Sequence, residues 1–309
     1  MYNDYTIMYK TLFLNKGLSL ERLHSFCLVA TALGFNKAAG DNAYKQSQYS
    51  KQIADLEKFF GCSLFLRKGK TIELTKEGTQ LLKLVNAFFS QLELLISSDK
   101  RPALDLVISA GQSVIEFLLS SVIDKKIMSL VRSTSFQAKP TDDCIEDVIS
   151  YSSHMAIIGR YIKNKDLNCT KVLSSKPVLV YSTKHKNAFY IGDDIRKLAQ
   201  NPTAMLTGSG IYKTSIERIF TKTKLNTVIE VPTFLAIKAY VTTGNAISYL
   251  PEYCLANADK AQLSTHSCKE LSKATRNLFL IYRKNLVNQN TTLKQTIDEI
   301  LINIQAAHY

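Results

Sequence analysis

Gln46, Ser47, Gln48, Ser50 and Lys51 crowd the first half of the stretch YKQSQYSKQIADLEKFFG, Tyr44 to Gly61. Amide, hydroxyl and ammonium groups together can meet the mixed donors and acceptors that base edges offer in a DNA major groove. A solvated helix start has the same composition, so these residues alone leave both readings open. Further on, Arg67, Lys68 and Lys70 place three cations within four positions. That suits phosphate oxygens, although a basic turn in water looks the same. Other chemistry is poorly supported. The five histidines, at 24, 154, 185, 266 and 308, lack metal spacing. The six cysteines, at 27, 62, 144, 169, 254 and 268, form no C-x-x-C pair. GSGIYKTS, from Gly208, lacks the spacing and Gly-Lys-Ser/Thr ending of a phosphate loop, and there is no G-x-S-x-G elbow. Catalysis, a metal and a cofactor are therefore not expected.

The elements that must hold these residues follow from hydrophobic spacing. Tyr49, Ile53, Leu56 and Phe60 recur at helical intervals and should face a core, leaving Ser47, Ser50, Lys51, Ala54 and Lys58 outside. Gly61 is a natural stop. Upstream, Leu20, Leu23, Cys27, Ala30 and Leu33 mark another helical face, with Ser19 as N-cap, Glu21 in the first turn and Gly34 at the end. Between them, Asn36 to Ala43 can form a short helix whose Ala38 and Ala39 permit a close crossing. Helix, short helix and polar-fronted helix is the order of a helix-turn-helix. Leu64–Leu66 and Thr71–Leu74 read as strands around the turn Lys68-Gly69-Lys70, a hairpin wing. Thr75 then caps a long helix in which Leu81, Val85, Phe88, Leu92 and Leu95 alternate steps of four and three. Such a seam suits a partner helix; packing on its own domain is the alternative.

Residues Leu18 to Ser97 resemble the N-terminal part of LysR-type transcriptional regulators. The matching residues run in register: Leu20, Leu23, Phe26, Phe35, Ala38-Ala39, Gln46, Ser50, Gln52, Ile53, Leu56 and Glu57, then Gly61, Leu64, Phe65, Arg67, Leu74-Thr75 and Gly78. The resemblance implies a winged helix-turn-helix on double-stranded DNA and a dimerising linker helix. The DNA contacts are then expected among Asn36, Lys37, Gln46, Ser47, Gln48, Ser50, Lys51, Arg67, Lys68 and Lys70. Three residues depart from the family pattern: Asn42 in place of a large apolar residue, Lys45 in place of a Ser or Thr cap, and Tyr49 in place of Leu. A helix without its cap would lose about 1 kcal/mol.

The remaining two thirds alternate strand and helix signals. LDLVISAG, HMAIIGR, PVLVYST, TAMLTGSG, NTVIEVP, AISYLP and LFLIYRK read as strands; SVIEFLLSSVIDKKI, IYKTSIERIF, TFLAIKAYVTTG and TTLKQTIDEILINIQ read as helices. The class is α/β with largely parallel sheets. TFLAIKAYVTTGNAISYLPEY, with Val241, Gly244, Ile247, Leu250 and Pro251, resembles the same family's effector domain, whose fold is like that of periplasmic solute-binding proteins. The implied organisation is an extension (1–17), the winged helix-turn-helix (18–75), a linker helix (76–98), a hinge containing Pro102 (99–103) and an effector-binding domain (104–309). One subdomain spans about 104–175 and 276–309 and the other about 176–275, with crossings near Ser175 and Thr275. In such folds ligands meet loops at strand C-termini. The candidate effector contacts are Gln112, Ser113, Arg160, Thr207, Ser209 and Thr233, facing a small, anionic effector. For the hydroxyls a plain helix cap is an equal reading, and for Arg160 a surface ion pair.

The formal charge of +13 is spread along the chain, so it favours polyanions in general without marking one surface. There is no signal-peptide pattern in Met1–Lys16 and no apolar run of about 18 residues, so a cytoplasmic protein away from membranes is expected. The composite expectation is an effector-responsive transcriptional regulator, acting as a homodimer or homotetramer. Loss of effector response, prompted by His154 where the family commonly has Asp, and thiol-based redox sensing are the alternatives.

Overall fold

The computed structural model describes residues 17–40, 42–68, 71–96, 104–208, 210–255 and 261–307, together with Leu12 and Asp259; for 67, 68, 71, 90, 91 and 93–96 it describes backbone only. Lys70 and Ser209 lie outside the described residues, as does the side chain of Leu95. The chain divides into two compact units, one within the first 99 residues and one comprising nearly all the rest.

In the first unit, α1 (Leu20–Ala32) is capped by Ser19, whose side chain accepts from the Arg22 backbone N–H. The left-handed position at its end is taken by Leu33, not by the expected Gly34. α2 (Phe35–Ala39) stops at left-handed Gly40. α3 runs Ala43–Phe60, three residues longer at its start than a cap at Lys45 would allow. Its N-cap is Asn42, so the apparent loss of a cap is corrected: the polar side chain that departs from the family pattern fulfils that role. β1 (Phe65–Lys68) and β2 (Thr71–Leu74) pair antiparallel with Lys68 opposite Thr71, so Lys68 belongs to a strand and only two residues remain for the turn. α4 (Lys76–Ile96) follows. Thr75 caps it through the Gly78 N–H. A Cβ on Gly78 would lie 2.1 Å from the Leu64 carbonyl oxygen, so the close approach of helix and wing requires glycine.

Phe26, Val29, Ile53, Leu56, Leu64 and Val85 form the centre of this unit's core, joined by Leu81, Leu82 and Phe89 from α4. Each fully buried aliphatic or aromatic side chain contributes about 1.5–3 kcal/mol. Val85 is 3 % exposed, which corrects its place on a seam for a partner helix. The face of α4 bearing Leu81 and Val85 packs into this core, with α1 and β2 as its neighbours. Leu84 and Phe88 point outward instead, 61 % and 44 % exposed.

The second unit contains two related sheets. β3 (Asp105–Ala110), β4 (Ser133–Ala138), β5 (Met155–Ile158), β6 (Leu167–Ser175) and β12 (Arg276–Arg283) form one in the order β4-β3-β5-β12-β6. β7 (Pro177–Ser182), β8 (Thr203–Leu206), β9 (Thr227–Val231), β10 (Ser248–Pro251) and β11 (Leu263–His266) supply the other. There β8 pairs with β9, and β10-β7-β11 run together. A bridge from Thr203 to Ile247 continues the order to β9-β8-β10-β7-β11. The expectation of largely parallel sheets is corrected to mixed ones: β12 runs antiparallel to β5 and β6, and β7 to β10 and β11. The chain passes from the first sheet to the second between Ser175 and Pro177 and returns before Arg276, which pairs with Ser175. Every residue of β5, β7 and β10 is buried, because helices cover both faces. Among these, α5 is a composite helix of three turns, Gln112–Val114, a widened π-helical segment Ile115–Leu119 and Ser120–Val122. α6 (Lys125–Leu130), α7 (Thr141–Ile149), α8 (Ile195–Gln200), α9 (Ile211–Ile219), α10 (Phe234–Thr242), α11 (Lys284–Gln289) and α12 (Thr291–Ala307) complete the layers. Among the described residues no helix is long and apolar enough to cross a membrane.

Candidate nucleic-acid interface and effector cleft

α3 is fixed from behind so that its front stays open. Ile53 and Leu56 are buried and Tyr49 is half-buried, while Gln46, Ser47, Ser50 and Lys51 are exposed. Arg22 pairs with Asp55 at 2.9 Å, which pins α1 to α3. Gln52 and Gln48 both donate to the Glu21 carboxylate, at 3.1 and 3.4 Å. Gln48 is thus half-buried and held sideways, unlike its polar neighbours. Glu57 accepts from the Leu64 and Phe65 backbone N–H groups at 2.7 and 3.3 Å, tying α3 to the wing. Asn36 and Lys37 are exposed on α2. Arg67 and Lys68 occupy β1. The arrangement presents a rigid helix front of donors and acceptors, flanked by a hairpin.

In the second unit a cavity of about 190 Å³ opens where strand C-termini meet helix starts. Gln112, Ser113 and Glu116 of α5 line one side; Leu206 at the end of β8, with Pro232, Thr233 and Phe234 at the start of α10, line the other. Three of the six expected effector residues, Gln112, Ser113 and Thr233, come together here. Thr233 also caps α10 through the Ala236 N–H at 3.1 Å. Thr207 follows Leu206 and is exposed. Arg160 is not brought to the cavity. It forms an exposed ion pair with Asp142 of α7, the surface pairing that was its alternative reading.

Three groups that sequence reasoning missed stand beside these. Ser113 Oγ lies 3.0 Å from the Tyr253 hydroxyl, and Arg276 Nη1 donates to that same hydroxyl at 3.2 Å. Burial pushes the Tyr253 phenol up to about 12, with the Arg276 charge working in the other direction. It therefore remains a neutral link between the start of α5, the segment after β10 and the returning strand β12. The third is Glu116, one helical turn after Ser113, whose Oε1 accepts from Gln112 Nε2 at 2.8 Å. The i, i+3 spacing from Ser113 was the available signal for it. Glu116 is the one ionisable side chain among the described residues lining the cavity. The expected anionic effector would meet a carboxylate there. His154, the other departure from the family pattern, accepts a hydrogen bond from the Val107 N–H on Nδ1 at 3.1 Å. Burial lowers its pKa to about 4, so it is a neutral structural ring.

Comparison with known proteins agrees with this geometry. Residues 20–79 match the pattern of the bacterial regulatory helix-turn-helix protein, lysR family, and residues 133–300 match the LysR substrate binding domain. The transcriptional activator CmpR of Synechocystis sp. is 25 % identical over 250 residues, covering 78 % of this chain and 81 % of CmpR. Full-length OxyR from Pseudomonas aeruginosa superposes with a TM-score of 0.69 at 14 % identity, over 94 % of this chain and 96 % of OxyR. Full-length CbnR in complex with its target DNA gives 0.60 at 15 % identity, over 93 % of this chain and all of CbnR. With both family patterns matched in order over most of its length, the chain belongs to the LysR family of DNA-binding transcriptional regulators.

Proposed function

We propose that this regulator reads double-stranded DNA through the exposed front of α3 and the wing, and that a small molecule held in the cleft of the second unit sets its state. The observation carrying the second half is the cavity itself. Its two walls come from loops at the C-terminal ends of β3 and of β8 and β9, which belong to different sheets. A ligand touching both walls binds one relative arrangement of the sheets better than another, and only such differential binding shifts an equilibrium. The protein acts in the cytoplasm as a homodimer or homotetramer without catalytic activity. A single winged domain reads one half-site, so a two-fold operator requires two copies, and CbnR, of the same fold, has been seen with its target DNA.

Thiol-based sensing is the weaker reading. A sensor thiol must ionise near neutral pH, whereas burial pushes both Cys27 and Cys144 up to about 11 and raises Cys254 further.

The test is selection of binding sites from random DNA, followed by mobility shifts with and without small metabolites. A recovered two-fold motif, and at least one metabolite that changes affinity in the wild type but not in Ser113→Ala, is the expected result. Binding that no metabolite alters would favour a regulator that has lost its effector response. Absence of any selected motif would remove the DNA-reading assignment for α3.

A further inference from the structure

Glu116 is left half-satisfied by the protein. Gln112 occupies its Oε1. Its Oε2 is buried and has no hydrogen-bond donor. No ion pair is formed by this carboxylate among the described residues. Arg276 donates to the Tyr253 hydroxyl and does not line the cavity, and Lys238 is engaged by Asp259 and the Cys254 carbonyl. A buried acceptor without a donor is costly, and a charged one more so. The helix is also irregular at this point: the π-helical segment Ile115–Leu119 contains Glu116, and such widened turns are frequent at functional sites.

Resting on the reading of the cleft as the effector site, we propose that the effector carries a protonated amine and that Glu116 is its recognition residue. An ammonium group in the cavity supplies the opposite charge that the carboxylate lacks and, once the carboxylate turns toward it, the donor that Oε2 lacks. A carboxylate or phosphate would instead add like charge beside it. Leu206, Pro232 and Phe234 offer an apolar wall for a short carbon chain. At about 30 Å³ per water, the 190 Å³ cavity corresponds to a ligand of a few heavy atoms. The effector class is therefore a small aliphatic amine, with or without a second polar group.

The test uses the full chain in phosphate buffer, free of competing amines. Butylamine, 1,4-diaminobutane and 4-aminobutanoate are titrated against the thermal midpoint and by calorimetry. The matched controls are 1-butanol, 1,4-butanediol and butanoate. At least one amine is expected to raise the midpoint, because a ligand of the native state stabilises it by mass action. It should bind about tenfold or more tightly than its control, and Glu116→Gln should abolish that advantage. Amines that do no better than their controls, or that act equally on Glu116→Gln, overturn the proposal. Leu206→Trp, which fills the cleft, separates the two levels of the argument. If a control compound binds the wild type but not Leu206→Trp while the amines show no advantage, the cleft stands and the amine fails. If an amine binds Leu206→Trp as it binds the wild type, the cleft is not its site and both readings fail.

Discussion

The Asn42 side-chain oxygen accepts from the Lys45 backbone N–H at 3.1 Å, closing the first turn of α3 from outside the helix. The residues expected on the DNA therefore stand on a turn whose orphan N–H group is satisfied. Replacing Asn42 by Ala removes that acceptor and should cost about 1 kcal/mol. Denaturant unfolding should show a lower midpoint, while Asn42→Asp, which keeps an acceptor, should stay close to the wild type. A wild-type midpoint for Asn42→Ala would mean that α3 starts elsewhere.

The front of α3 divides into free and tied residues. Gln46 and Ser50 are exposed, whereas Gln48 is drawn to Glu21. Gln46→Ala or Ser50→Ala should weaken binding to the selected site by about 1–3 kcal/mol with little effect on random DNA. Gln48→Ala should do less. Lys51→Ala, removing an exposed cation from the proposed DNA-facing front, should weaken binding to all sequences and reduce the salt slope by about one. Fluorescence anisotropy at several salt concentrations reads both. If Gln48→Ala caused the larger specific loss, the side chain would have to leave Glu21 on the DNA.

What the chain disclosed in advance was governed by how one-sided its elements are. α3 and α1 were legible because Ile53, Leu56, Leu23 and Phe26 repeat on single faces, and β7 because PVLVY is an unbroken apolar run. β4 (STSFQA) and β6 (LNCTKVLSS) went unread. Both are edge strands with few buried residues, none in β4 and only the two end residues in β6, and the burial that writes a period-two pattern is weak there. The sense of β12 was also hidden, since the apolar residues of LFLIY show that the strand is central and do not show whether it runs parallel or antiparallel. At the cleft, the loop hydroxyls were legible because strand ends and helix starts can be read locally. Tyr253 and Arg276 were not, because Ser113 and Tyr253 stand 140 residues apart and Arg276 joins them only with the return crossing; Glu116, one turn from Ser113, went unread although its spacing is local. The two faces of α4 pose a similar problem: Leu81, Val85 and Phe88 fit one heptad on paper, but only the fold decides which side the domain itself covers.

That division of α4 separates folding from assembly. Val85 is in the core, and Val85→Ala should lower stability by about 1–3 kcal/mol without changing the mass of the folded species. Leu84 and Phe88 are exposed on the unit described, an outward pair one turn apart. Phe88→Glu, alone or with Leu84→Glu, should leave the monomer folded and shift sedimentation toward smaller species, because a charge would be buried in any interface formed there. An unchanged oligomer for the double variant, with normal circular dichroism, would move the interface off this helix.

His154 should make the second unit sensitive to mild acid. Its ring takes a hydrogen bond from the Val107 N–H on Nδ1, which requires the neutral form, and burial holds its pKa near 4, below the ordinary 6.5. The unfolded chain therefore binds a proton in the window between those values while the folded chain does not. By linkage the stability is complete above about pH 6.5 and falls as pH drops toward 4, by as much as about 3 kcal/mol. Asn places an oxygen where Nδ1 stands and does not titrate. His154→Asn should therefore flatten the fall of the guanidinium midpoint between pH 7 and pH 4.5 relative to the wild type, by up to one proton's slope. Equal slopes for the two proteins would show that the imidazole is protonated in the folded chain, and that the Val107 hydrogen bond does not hold it neutral.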